Sequence, residues 1–169
     1  MLRVDLRELA LGPVETRGEL AQADPLFAGL DVALGAPVVV GGRLQATGGG
    51  RFYWHGTLAT VVAAACRRCL APVAVPVSAD IGALFTQDAE ALDDPDSYPL
   101  APDATAIDVT PAVREEVILA VPRYVLCREG CCGLCPRCGQ DLNAGPCGCA
   151  PAADPRWQAL ESLKERGQS

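Results

Sequence analysis

Seven of the nine cysteines in this chain fall between Cys127 and Cys149, and the other two form the upstream pair Cys66-Arg-Arg-Cys69. The core of the downstream cluster, Cys135-Pro-Arg-Cys138-Gly139, has the form of a zinc knuckle. The C-x-x-C spacing lets two thiolates reach one ion, while the residues between them turn tightly enough to aim backbone amides at the sulfurs. Pro136 fits that turn, and Gly139 supplies positive-φ freedom just after the second ligand. Zinc takes four such ligands, so each knuckle must find a partner pair. A chain of this kind folds around metal.

A length of 169 residues bounds the chain to one domain, or one domain with a small appended module. Half of the residues are hydrophobic but only 5% are aromatic, so the expected core is built mainly from Val, Leu and Ala. No apolar run approaches the roughly 20 residues of a membrane span, and no secretory signal is visible. Cysteines in a chain without an export signal point to a reducing, cytoplasmic location, where thiols bind metal rather than pair as disulfides. A disulfide framework is the competing reading.

The formal net charge of -7 is concentrated. Asp80, Asp88, Glu90, Asp93, Asp94, Asp96, Asp103 and Asp108 lie in a stretch with no Lys or Arg between Arg68 and Arg114. Broad, sequence-independent binding to nucleic acid is disfavoured by such a balance. The simpler role for the run is a solvated loop. Arg67 and Arg68 in the first knuckle, with Arg123, Arg128 and Arg137 around the second, could still form a local basic face able to touch RNA phosphates.

Along the chain, Leu2 to Leu6 alternates as a strand, and Gly12 to Gly35 reads as irregular, with turns at Asp24-Pro25 and Gly35-Ala36-Pro37. Pro37 to Thr47 reads as a strand, Gly48-Gly49-Gly50 as a hairpin turn, and Arg51 to Ala65 as a long strand. Phe52, Trp54, Leu58 and Val62 share one face of it. After the Cys66–Cys69 knuckle, Val73, Val75, Val77, Ala79 and Ile81 share a face of the next strand, which Pro76 places at an edge or beside a bulge. The acidic stretch with Pro95, Pro99 and Pro102 reads as a loop. Thr110-Pro111 opens a helix with Thr110 as cap; Val113, Val117 and Val121 form its stripe, and Pro122 ends it. A last short helix starts at Asp154-Pro155 and carries Trp157, Leu160 and Leu163.

The expected fold class is therefore α+β: an antiparallel β meander with a C-terminal cysteine-rich zinc-binding module and two short helices. Residues 1–122 form the body with its helix at 110–121, residues 123–150 the zinc-binding module, and residues 151–169 the C-terminal helix.

Eight spaced thiols are candidate metal ligands: Cys66, Cys69, Cys127, Cys131, Cys135, Cys138, Cys147 and Cys149. One partition closes a site locally from Cys135, Cys138, Cys147 and Cys149 and a second between distant segments from Cys66, Cys69, Cys127 and Cys131. The other holds a single zinc between Cys66, Cys69, Cys135 and Cys138. The first uses every pair and is favoured, giving two zinc ions, with the local site the more separable. Iron–sulfur ligation uses similar cysteines, but the Pro and Gly of the knuckle favour structural zinc.

A catalytic zinc keeps an open position and draws on His, Asp or Glu. The one histidine, His55, falls in a predicted strand far from the cluster, and Gly48-Gly49-Gly50 lacks the following helix and Lys of a phosphate loop. The residues point to no catalytic site, no cofactor beyond zinc and no small-molecule substrate.

The order of motifs resembles the YceD family, the large ribosomal RNA subunit accumulation proteins of bacteria and plastids. It is carried by Cys66-Arg-Arg-Cys69-Leu70, an acidic loop, Ile107-Asp108-Val109-Thr110, Arg114-Glu115-Glu116-Val117 through Pro122, the cluster Cys127 to Cys149 with Asp141-Leu142-Asn143, and Asp154-Pro155-Arg156 with Leu160 and Leu163. The match spans residues 40–166. Cys132 departs from the family, which more often has Lys there, so Cys131 and Cys132 compete as ligand. The resemblance implies a non-catalytic role in synthesis, processing or stability of large-subunit ribosomal RNA, with the precursor large subunit, through its RNA or a ribosomal protein, as partner. Two rivals remain: a thiol-based redox or metal sensor, and an acidic protein-only adaptor for ribosomal proteins.

Overall fold

The computed structural model describes residues 1–30, 33–88 and 97–149. Its centre is a six-stranded sheet in which four strands run β2 (Val14–Leu20), β4 (Val38–Gly48), β5 (Arg51–Ala65) and β6 (Pro72–Thr86), each antiparallel to its neighbour. The short β3 (Ala33–Leu34) extends the β4 side by pairing with Ala63 and Val62 of β5. The strand expected from Arg51 to Ala65 has those bounds, because the glycine turn at one end and the knuckle at the other leave it no freedom to slide.

Several elements depart from the sequence reading. β2 lies inside the stretch expected to be irregular. Its residues Glu15-Thr16-Arg17-Gly18-Glu19 show no apolar alternation, because the inward position is taken by Thr16, fully buried and accepting a 2.9 Å hydrogen bond from Trp54 Nε1. The meander is also not purely antiparallel: β7 (Ser97–Pro99) adds to β6 in parallel, Leu84 opposite Ser97. Finally, the strand expected at the start, β1 (Arg3–Asp5), leaves the main sheet and pairs with β8 (Ala106–Asp108). A single-turn helix, α1 (Leu6–Leu9), follows it. The helix expected after Asp154 lies outside the described residues, as does the acidic stretch from Ala89 to Asp96.

One face of the sheet is dry. Val38, Val40, Leu44, Trp54, Leu58, Ile81, Ala83 and Phe85 meet Leu2, Val4, Leu9, Phe27, Ile107 and the inner face of α2 (Thr110–Ala120). Burial of this apolar surface is the main favourable term in the body's stability. Trp54 lies flat across the sheet, which only glycine at two neighbours allows: a Cβ on Gly56 would sit 2.5 Å from its ring, and one on Gly42 2.7 Å from its Nε1. Pro76 is accommodated because β7 covers only the far end of β6 at Leu84–Thr86, so the outer edge beside Pro76 has no ladder to break.

Helix α2 starts where Thr110-Pro111 predicts, with Val113 and Val117 buried. The cap is not Thr110 itself. Val109 stands at the N-cap with no side-chain bond, and Asp108, two residues before Thr110, supplies the acceptor: its Oδ1 accepts from the Thr110 amide at 3.0 Å and hydroxyl at 2.8 Å. Arg114 clamps the helix to the loop before β3, donating to Leu26 O at 2.7 Å and Ala28 O at 3.1 Å. After α2 the chain runs to the end of the sheet where β5 turns into β6, and that junction sets up the cysteine centres.

Candidate metal centres

The first knuckle is the β5–β6 connection. Cys66 accepts at its carbonyl from the Leu70 amide at 2.9 Å, closing the turn, and Leu70 adopts φ 61°. The second knuckle repeats the device: Cys135 O accepts from the Gly139 amide at 2.9 Å, and Gly139 has φ 73°. The left-handed position that the sequence marks with glycine in one knuckle is therefore held by leucine in the other. Such a conformation costs a residue with a side chain about 1–2 kcal/mol. Leu70 is 65% exposed, so packing does little to offset it.

The segment after α2 is tied to this tip from both sides. Arg67 donates from its amide to Val125 O at 2.8 Å and from Nε to Arg123 O at 3.1 Å. Arg68 donates to Cys131 O at 2.8 Å and accepts at its own carbonyl from the Leu134 amide at 3.0 Å. Gly133, at φ 77°, passes so close that a Cβ there would lie 3.0 Å from Arg68 O. These bonds bring the distant pairs together.

Two groups of four sulfurs result. Cys66, Cys69, Cys127 and Cys131 form one; Cys135, Cys138, Cys147 and Cys149 form the other; within each, all sulfurs lie within 4.8 Å of one another. The grouping is that of the two-site partition, and the pairing of Cys66 and Cys69 with Cys135 and Cys138 does not occur. Cys66 and Cys131 sulfurs are 3.8 Å apart, Cys69 and Cys127 sulfurs 3.6 Å. A disulfide needs about 2.05 Å, and all nine cysteines are free. A tetrahedral ion with bonds of about 2.3 Å to sulfur sets its ligands roughly 3.8 Å apart. The donor set therefore fits a tetrahedral metal.

Cys131, not Cys132, joins the first group. Cys132 is exposed, with its Sγ 3.8 Å from Gly130 O.

The electrostatics of the two groups favour binding a cation. Amide hydrogens of Cys69 and Cys127 aimed at Cys66 hold its thiol down to about 6, and those of Cys138 and Arg137 bring Cys135 to about 6 as well. Once one thiol in each group ionises, its neighbours resist. Cys127 is pushed up to about 12, first by its bond to Cys69, and Cys149 up to about 11, first by its bond to Cys138. Clustered thiols cannot all become anions unless a cation neutralises them. Burial raises the Cys131 thiol, yet the Asn143 side chain and the Gly133 amide together take it below its ordinary value.

Asn143 is the residue that sequence reasoning left without a role. It sits on the loop between Cys138 and Cys147, hence within the second group's own ring, but serves the first. Its Nδ2 donates to Cys131 Sγ at 3.5 Å, while its Oδ1 accepts from the Cys132 amide at 2.9 Å and from Arg128 Nη2 at 2.8 Å. Two donors on one amide atom and an acceptor carboxylate, Asp141 Oδ1, at 2.6 Å from the other fix which end is oxygen. The Asp141-Leu142-Asn143 spacing, which lets a carboxylate turn back on the amide two residues on, was the available signal. The two groups are thus less separable than their spacing suggests.

His55 lies exposed on β5, and neither sulfur group includes a His, Asp or Glu. No helix among the described residues is long and apolar enough to cross a membrane.

Residues 54–164 match the family described as large ribosomal RNA subunit accumulation protein YceD. The chain belongs to that family. The match takes in both cysteine groups and helix α2. An uncharacterized protein of Mycobacterium tuberculosis and one of Mycobacterium bovis are each 35% identical over 111 residues, 64% of this chain and 53% of the relative. The chloroplastic large ribosomal RNA subunit accumulation protein YCED homolog 1 of Arabidopsis thaliana is 26% identical over 142 residues, 67% of this chain and 44% of that protein. This YceD-family chain thus spans about half the length of the curated relatives it matches. No solved structure matches it.

Proposed function

We propose that this chain is a non-enzymatic, cytoplasmic zinc protein that supports synthesis, processing or stability of large-subunit ribosomal RNA. Family membership supplies the ribosomal part of this reading. The observation that carries the rest is the sulfur geometry: two all-cysteine groups with spacings of 3.6 and 3.8 Å in the first. Four thiolates complete zinc's tetrahedron and leave no position for an activated water. A multi-iron cluster, which spreads its four thiolates over two or four irons, calls for wider spacing among the whole set than this.

Zinc here supplies rigidity. It would join the β5–β6 tip to the segment after α2 at one centre and fold the loops from Cys135 to Cys149 at the other. The product is a fixed surface at one end of the sheet rather than a reaction centre.

Sedimentation tests the reading. The tagged chain, traced through cell extracts, should co-migrate with precursors of the large subunit and be depleted from mature particles. Loss of the protein should lower large-subunit ribosomal RNA relative to small-subunit RNA. A chain found only in the unbound fractions, with unaltered RNA ratios, refutes it. The redox-sensor alternative has one feature in its favour, the exposed Cys132 beside Cys131. It requires zinc release at low oxidant, so a centre that keeps its metal there removes it.

A further inference from the structure

Tyr124 is 80% exposed, yet it does not hang on a loose loop. Val125 beside it is buried and Arg123 on the other side is pinned, both through hydrogen bonds from Arg67. The Arg67 guanidinium lies over the Tyr124 ring, 4.8 Å from its centroid. One face of the ring is therefore backed by a cation, and the exposure belongs to the other.

Two shallow grooves flank this ridge. The first, about 450 Å³, is lined by Ala63, Ala64, Ala65, Arg67, Arg123 and Val125. The second, about 310 Å³, runs along Val73 to Pro76 under Tyr124 and Leu126. Arg68 and Arg128 are spent inside the metal centres, on Cys131 O and Asn143. Arg67 and Arg123 form no ion pair among the described residues. The ridge thus offers an aromatic plane held in place by a guanidinium, with free positive charge on one side.

We propose that Tyr124, backed by Arg67 and flanked by Arg123, is a stacking platform for an unpaired nucleotide of RNA. The base lies on the open face of the ring, and the phosphate meets Arg123 in the adjoining groove. A duplex hides its base faces, so the contact selects single-stranded segments. The net charge of -7 repels long RNA, so the platform reads a short exposed strand rather than coating a long one. Charge complementarity favours RNA over an apolar peptide as occupant, since such a peptide anchored on Tyr124 would leave the Arg123 guanidinium uncompensated. The inference rests on the ribosomal RNA reading and names its point of contact.

The test uses the full zinc-loaded chain and a short single-stranded RNA carrying a fluorescent base analogue, at low salt. Tyr124→Leu should bind about tenfold more weakly or worse, the effect of losing one aromatic–base stack. Tyr124→Phe should bind like the parent. Arg123→Gln should weaken binding and flatten its salt dependence, because one phosphate contact is gone. All three should keep their zinc and their thermal midpoint, since these side chains are at the surface. Equal binding by Tyr124→Leu, or no binding by the parent chain, overturns the platform. So does a Tyr124→Leu variant that keeps the oligomer but loses precursor subunits, which assigns the ridge to a ribosomal protein. Failure of the parent chain to co-sediment with precursors defeats the ribosomal reading instead. Co-sedimentation of parent and variant alike, with equal oligomer binding, defeats only the platform.

Discussion

Asn143 offers the sharpest check on how the metal centres are built. Replacing it with alanine removes the bonds to Cys131 Sγ, Asp141 Oδ1, the Cys132 amide and Arg128. At about 0.5–1.5 kcal/mol for each of the four bonds, the loss comes to about 2–6 kcal/mol. Outer-shell partners of metal ligands typically change affinity by about 10–100-fold, or about 1.4–2.8 kcal/mol at 1.4 kcal/mol per decade, which overlaps the lower end of that range. The loss should fall on bound metal more than on the metal-free chain, because the Nδ2–H bond is strongest to a thiolate and the metal is what keeps Cys131 a thiolate. Asn143→Asp confines the change to the two Nδ2 bonds, to Cys131 Sγ and to Asp141 Oδ1. It retains an acceptor for the Cys132 amide and Arg128 but turns an oxygen toward the sulfur in place of a donor. Competition with a chromogenic chelator reads the outcome directly. The alanine variant should release its first zinc about tenfold more readily, and the aspartate variant should be no better despite keeping two of the four contacts. An Asn143→Asp protein that holds both ions like the parent refutes the assignment of the side chain to Cys131.

Metal-depleted protein taking up zinc near neutral pH should expel protons, because Cys127 and Cys149, raised to about 12 and about 11, enter protonated and must ionise to ligate. The metal-bound form depresses those pKa values, so its stabilisation is present at high pH and lost as pH falls; potentiometry showing zinc uptake without proton release would count against thiolate ligation. Elemental analysis of protein purified without added metal should approach two zinc per chain, one per sulfur group, and iron in their place overturns the assignment. Leu70→Gly relieves the left-handed strain at φ 61° and should raise stability by about 1 kcal/mol in a denaturant titration, whereas Gly139→Val, the reverse change at φ 73°, should lower it by a similar amount. Asp93, Asp94 and Asp96, outside the described residues, changed together to Asn should tighten binding to free single-stranded RNA by removing repulsion; weaker association with precursor particles would instead mark the acidic stretch as a docking element for a basic protein.

What the sequence made legible was whatever is enforced by local chemistry. The glycine triplet and the first C-x-x-C bracket β5 so tightly that its ends could be read off, and the inward faces of β5 and β6 follow from strict alternation of apolar residues. The cysteine grouping was legible too, because a tetrahedral ion accepts pairs and the chain supplies pairs. What escaped was set by partners far away in sequence. β2 reads as irregular because its buried position is a threonine, which Trp54 requires as the acceptor for the hydrogen-bond donor it brings into the interior. β1 reads as a strand from its alternation, but its partner is β8, with Arg3 opposite Asp108 far along the chain. Leu70 gave no sign of positive φ because leucine almost never adopts it; the knuckle's geometry, fixed by Cys66 and Cys69, overrides the local preference.

The coupling through Asn143 also changes how the ends of the molecule relate. A centre built from Cys135, Cys138, Cys147 and Cys149 alone could fold or empty independently. Here the loop that closes that centre reaches across to Cys131, and Arg68 reaches from the β5–β6 tip to Cys131 O and Leu134 N in return. Consequently Cys138→Ala, which nominally damages the second centre, should also raise hydrogen exchange at the Cys66–Leu70 turn by loosening Asn143. Cys69→Ala should open both regions and weaken the hold on β5 and β6 as well, since the knuckle terminates both strands. Removing a structural zinc can cost on the order of 10 kcal/mol of apparent folding free energy in small modules, far more than the few hydrogen bonds between the centres. The spread of the damage, rather than its size, therefore reports the coupling. Exchange confined to the loop after Cys135 in the Cys138→Ala protein would mean that Asn143 bridges the two centres in space without transmitting stability between them.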